Sequence, residues 1–219
     1  MSDENTLETL FDWVPNPSGR FEALRAAFKA SEHAISHQAD QFAVREQATR
    51  RRQGTSGQID LPDLAVLYME AKETFAKVFR GGFLISTWAV FESCIKDVGE
   101  HVRLKRDLPF GLQDLRAGDF LNQSEKFFRS TLDIAFIPDK GDRKQLELLR
   151  NLRNLLAHHD GSIGEAPAEL LRATGVVTRV TDYHHDYVTP TSQYNQQSLE
   201  LVARIAESLA DSVYSILKR

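Results

Sequence analysis

Apolar side chains recur every three or four positions along nearly the whole chain, and that period restricts it to packed helices. Phe21, Leu24, Phe28 and Ile35 mark a first helix over 20–52. Leu64, Leu67, Tyr68, Phe75 and Phe79 mark a second, opened by Pro62-Asp63 because proline suits a first helical turn. Gly81-Gly82 is expected to break or kink it, since glycine is the poorest helix former after proline. A third helix, over 83–104, carries Leu84, Phe91, Ile95, Val98 and Val102 on one stripe. A shorter one, LNQSEKFFRSTLDIAF, covers 121–136, before the punctuation Pro138-Asp139-Lys140-Gly141.

The strongest helical pattern lies over 142–158, with Gly161 beyond it as a stop. A closing amphipathic helix, 196–217, uses Leu199, Val202, Ile205, Leu209, Val213 and Ile216. One stretch breaks the period. Over about 175–191 valine, threonine and tyrosine predominate, which predicts a small β-hairpin. The expected fold is therefore mainly α: a helical bundle with a small β-hairpin insertion before the C-terminal helix. Residues 1–19 read as a loosely docked arm, and RRRQGTSGQIDLP, from Arg50 to Pro62, as a flexible loop.

Composition narrows the function classes. A net charge of −4 argues against a protein coated in basic residues for non-specific nucleic-acid binding, although a local basic site is compatible with it. The single cysteine, Cys94, excludes an internal disulfide framework and a multi-cysteine zinc site, and its apolar setting predicts a buried, inert thiol. The start MSDENTLETLFDW is acidic where a secretory signal is basic, and no uninterrupted apolar run approaches the roughly 18 residues of a membrane span. A cytoplasmic location without membrane contact is the expectation.

The chemistry gathers in RNLRNLLAHHDG, Arg150 to Gly161. At about 100° per residue, Leu148, Leu149, Leu152, Leu155 and Leu156 share one face, and Arg150, Arg153, Asn154, Ala157 and His158 the opposite one. Histidine passes protons near neutral pH. Arginine offers a fixed charge and a planar fork of donors that fits phosphate oxygens. Asparagine can orient either partner or a substrate hydroxyl. Together they suit transfer at an RNA phosphodiester, where the substrate supplies its own nucleophile, the 2′-OH, and no metal or other cofactor is required. One helix lacks a second proton-transfer group, which a two-fold dimer would supply. The same pattern also fits a solvated helix face with basic residues near its C-terminus.

Arg153-Asn154-Leu155-Leu156-Ala157-His158 resembles the R-N-x-x-x-H signature of HEPN domains, a helical superfamily that includes RiboL-PSP- and MAE-type ribonucleases of toxin and defence systems. The setting is similar too: a leucine-rich helix leads in, a small-residue loop follows, and an amphipathic helix closes the chain. FLISTWAVFESCIKDV, Phe83 to Val98, resembles the first core helix of these domains, with Glu92 at the position of an acidic or polar residue facing the motif. The resemblance covers roughly 62–219, and the helix and loop over 20–61 look like an addition. His159-Asp160 stands where some two-component toxins continue with x-Tyr, which sets the chain apart from that subgroup.

The resemblance implies a metal-independent endoribonuclease acting as a homodimer on an RNA substrate, with an antitoxin or regulatory protein as a further partner. His158 would be general acid or base and Arg153 would stabilise charge on the phosphate. Asn154 would position one of them, Glu92 would hold Arg153, and Arg150 would extend the cationic strip. The alternative is a non-catalytic helical module that binds a nucleotide, RNA or partner protein. Other polar groups read more plainly. His33 and His37 have metal-ligand spacing but no third ligand near in sequence, so exposed histidines are expected. Tyr183, His184, His185, Asp186 and Tyr187 belong to the hairpin tip, where the tyrosines could stack on unpaired bases. His159, projecting toward the leucine side, is expected to pack or cap.

Overall fold

The computed structural model describes residues 16–52, 61–116, 118–162, 164, 170, 177–182 and 185–218, with backbone alone at 50–51, 61–65, 67, 177–182 and 185–186. The arm over 1–15, the loop over 53–60, and Tyr183 with His184 lie outside the described residues, as do the side chains of Arg51, Pro62, Asp63, Leu64, Leu67, His185 and Asp186. The elements are helices α1 (Ser18–Arg52), α2 (Leu61–Lys105), α3 (Phe120–Leu132), α4 (Lys140–His159) and α5 (Ser192–Leu217). A 3-10 turn spans Leu112–Asp114, and two strands, β1 (Val177–Asp182) and β2 (His185–Pro190), precede α5. The fold is mainly α, with a small hairpin inserted before the C-terminal helix.

Short polar side chains set the helix starts. Asp119 accepts from the Asn122 amide at 2.9 Å, Asp139 from the Asp142 amide at 2.8 Å, and Thr191 Oγ1 from the Tyr194 amide at 3.1 Å. Each satisfies one of the amides that a first turn leaves without an intrahelical partner. Helix α3 stops at Leu132, four residues before the sequence pattern ends, because Asp133 adopts a left-handed φ of 55°. The Ile134 amide then bonds back to the Phe128 carbonyl at 3.3 Å, closing the end.

One boundary expectation is corrected. The second and third helices are a single 45-residue helix, α2, and Gly81-Gly82 neither ends nor interrupts it. Neighbours on both sides of the pair hold the backbone. Arg80 makes a two-pronged ion pair with Glu32 at 2.8 Å, its carbonyl accepts from Asn195 Nδ2 at 3.0 Å, and Leu84 is buried. Propensity is a per-residue term of about 1 kcal/mol, and packing overrides it. From Tyr68 to Lys105 this helix is also long and apolar enough, by length and composition, to cross a membrane, although no uninterrupted apolar run reaches that length. Its apolar positions Trp88, Phe91, Ile95, Val98 and Val102 are core residues here, each no more than 1% exposed.

The chain divides into two compact units. The first comprises Met1–Ala23, Thr87–Glu147 and Leu199–Arg219. Its core is aromatic: Phe91 stacks on Phe136 at 6.3 Å, Phe136 on Phe128 at 6.0 Å, and Phe127 meets Phe128 edge-on at 5.3 Å. Cys94 is buried at its edge, where burial pushes the thiol upward and the Arg20 guanidinium, 3.9 Å from Sγ, opposes the shift. Arg204 clasps Asp142 at 2.8 and 2.9 Å.

The second unit comprises Leu24–Ser86 and Leu148–Ser198. Its core includes Ile35, Leu84, Leu149, Leu152, Leu155 and Val188. Phe28 and Phe83 lie 5.0 Å apart, tying α1 to α2. β1 and β2 pair antiparallel, with Val177 opposite Pro190 and Asp182 opposite His185. The hairpin thus begins and ends within a residue or two of its expected place.

Candidate functional site

The motif helix α4 follows the leucine periodicity. Leu149, Leu152 and Leu155 are buried to within 2% exposure, while Leu148 and Leu156 are half-buried at the margins of that face. The opposite face carries the polar set. Arg150 and Arg153 are partly buried, and Asn154, Ala157 and His158 are exposed. Burial of the leucine face therefore leaves these five residues no choice but to point away from the core.

Two of the expected site residues are brought into contact. Arg153 Nη1 donates to Asn154 Oδ1 at 2.9 Å. Arg153 Nε is buried and meets no hydrogen-bond acceptor among the described residues. A guanidinium N–H removed from water without a partner carries a penalty of about 1–3 kcal/mol or more, so this donor is primed for an acceptor oxygen. His158 sits one helical turn beyond Asn154, its ring in solvent.

The turn after His158 is fixed by the hairpin. Asp160 and Gly161 both adopt positive φ, 49° and 75°, and the Gly161 amide bonds back to the Leu155 carbonyl at 3.2 Å. The Val188 amide of β2 donates to the Gly161 carbonyl at 2.8 Å, and Ser162 bridges to Tyr187. A side chain at 161 would place its Cβ 2.9 Å from the Val188 carbonyl oxygen, so only glycine fits. Lys77 of α2 closes the arrangement. Its Nζ lies 3.0 Å from Asp160 Oδ2 and 3.4 Å from the centroid of the Tyr187 ring.

The sequence pattern missed Lys77 entirely, because 83 residues separate it from Asp160 and nothing local marks it. Tyr187, expected as a hairpin residue that could also stack on bases, has the Lys77 ammonium over its ring. Of the two roles expected for His159, packing is not seen, since its ring is exposed; its carbonyl accepts from the Ser162 amide at 2.9 Å in the turn that ends the helix.

Glu92 belongs to the first unit and is engaged on its own helix. Its Oε1 accepts from the Trp88 indole at 2.7 Å and its Oε2 lies 3.9 Å from Lys96 Nζ. In the same unit a cavity of about 350 Å³ is lined by Lys96, Asp97, Glu100, Arg103 and the turn Gly111–Asp114. Its charges are already matched, with Arg103 bound to Glu100 at 2.6 and 2.8 Å and holding that carboxyl below its ordinary range. His33 and His37 are exposed, their rings 6.2 Å apart, and His37 Nε2 pairs with Gln41 at 2.8 Å. Among the described residues, no group of three or more His, Cys, Asp or Glu side chains is placed to hold a metal ion.

Compared with known proteins, the chain matches no protein-family model, no curated protein and no solved structure.

Proposed function

We propose that the protein is a metal-independent endoribonuclease of the HEPN type, a toxin or anti-phage defence effector of the cytoplasm. The observation that carries this reading is Arg153. It is held by Asn154 and retains a buried donor without an acceptor among the described residues, on the same helix as the exposed His158 imidazole, which lies one turn past Asn154. A phosphodiester supplies the missing acceptor: a non-bridging oxygen charged more strongly in the transition state than in the ground state, which is where a fixed guanidinium lowers the barrier.

In this mechanism His158 takes the proton from a ribose 2′-OH or delivers one to the departing 5′-oxygen. The 2′-oxygen attacks phosphorus, the P–O5′ bond breaks, and the products are a 2′,3′-cyclic phosphate and a 5′-hydroxyl. A single motif supplies one imidazole, and the second proton transfer calls for the same face of a second subunit, so the active species is a homodimer. Arg150, one turn before Arg153, extends the cationic strip along the RNA. Glu92 has a supporting part in the resemblance, and its carboxylate is bound here by Trp88. An antitoxin or regulatory protein would act by covering this face.

The exposure of His158 also favours a second reading, in which the same polar face binds a nucleotide, RNA or partner protein without cutting, since no motif residue lines the cavity described above. Incubating the purified protein with total RNA in EDTA separates the two. Cleavage leaving 2′,3′-cyclic phosphate ends supports the ribonuclease, and retention of RNA without cleavage supports the binding module.

A further inference from the structure

We propose that Lys77 is a positioning residue that fixes the turn directly after His158 and through it the imidazole, a role that rests on the ribonuclease reading for its consequence in catalysis. The turn is gripped from two directions. β2 holds it through the Val188 amide on the Gly161 carbonyl and the bridge from Tyr187 to Ser162. Lys77 holds it from α2, because a single ammonium touches Asp160 on the turn and the ring of Tyr187 on the strand.

The geometry uses the ammonium twice. At 3.0 Å it donates to a carboxylate only two residues past His158, and at 3.4 Å it sits on the electron-rich face of a tyrosine. The lysine side chain is 23% exposed, so its charge is partly removed from water, whereas Asp160 is 81% exposed and relies on this contact for its direction. Asp160 adopts a left-handed φ of 49°, which aspartate tolerates, and its carboxylate is tied to the Lys77 ammonium. Without the cation, the last turn of α4 retains its backbone bonds and loses the side-chain tie to α2. His158 lies on that turn, in solvent, with no burial of its own to orient it.

The test compares the full-length protein with Lys77→Met, Lys77→Arg and Asp160→Asn. Three readouts are taken: His158 ring-proton NMR shifts, amide exchange at Ser162 and Val188, and RNA turnover. The expected result is moved His158 shifts and faster exchange at both amides in Lys77→Met and Asp160→Asn. In these two variants kcat falls on the order of tenfold with little change in KM, short of the roughly hundredfold that an ångström of misplacement can cost. Lys77→Arg, which preserves the cation, restores all three. Unmoved His158 shifts and unchanged exchange in both Lys77→Met and Asp160→Asn overturn the proposal, as does a Lys77→Arg variant impaired like Lys77→Met. A wild-type protein that cuts no RNA ends the ribonuclease reading, while the shifts and exchange rates still decide whether Lys77 holds the turn.

Discussion

Tyr194 carries a buried hydroxyl that meets no partner at hydrogen-bonding geometry among the described residues, and burial pushes its ionisation up to about 12, with nearby Ser198 opposing the shift. An unfolded tyrosine titrates near 10. Between these values the unfolded chain releases a proton that the folded chain keeps, so stability falls as pH rises through that window. The loss is bounded by about 2–3 kcal/mol. Tyr194→Phe is expected to flatten this alkaline decline while changing stability at pH 7 little, as read by urea unfolding at pH 7 and pH 10.5. Asp142 behaves oppositely. The hydrogen-bonded Arg204 guanidinium holds its carboxyl below the usual range, so its contribution is present above pH 4 or so and is lost as pH falls further. Because the arginine side chain is 61% exposed, Asp142→Asn should lower stability at pH 7 by no more than about 1 kcal/mol and weaken the acid dependence.

At the scale of elements, caps and glycines explain what the sequence made legible. The starts of α4 and α5 lie within four residues of their expected positions because Asp139 and Thr191 are short acceptors placed before periodic apolar runs. Gly81-Gly82 misled the reading because a local propensity says nothing of the Arg80 ion pair to Glu32 or the Asn195 bond to the Arg80 carbonyl. Nothing lies within 4 Å of a Cβ built at Gly82. Gly82→Ala should therefore raise stability by about 0.5–1 kcal/mol, visible as a higher Tm. Gly161→Ala should do the reverse by more than about 1 kcal/mol, since it meets the Val188 carbonyl at 2.9 Å and forces alanine into a left-handed φ. An unchanged Tm in Gly161→Ala would contradict the account of how α4 ends.

At the scale of the whole molecule, the mainly helical fold was legible because burial on one helix face is written in a 3.6-residue period, and the hairpin because its residues break that period. The exposed polar face of α4 followed from the same geometry: burying Leu149, Leu152 and Leu155 dictates where Arg153, Asn154 and His158 point. What surrounds that face was not legible. The contact of Lys77 with Asp160 and Tyr187, and the docking of β2 on the turn after His158, join residues far apart in the chain with no local pattern to announce them. The hydrogen bond from Arg153 to Asn154, and the Nε beside it that meets no acceptor among the described residues, likewise appear only in three dimensions.

The central claim is that Arg153 and His158 cut RNA at a phosphodiester without a metal. Its most direct measurement is the cleavage rate of a labelled RNA in EDTA by wild-type, Arg153→Ala and His158→Ala proteins shown to be folded. Wild type is expected to yield 2′,3′-cyclic phosphate products, with losses of roughly 10²–10³ for Arg153→Ala and 10²–10⁴ for His158→Ala. Cleavage that persists undiminished in either variant, or RNA left intact by the wild-type protein, would contradict the claim.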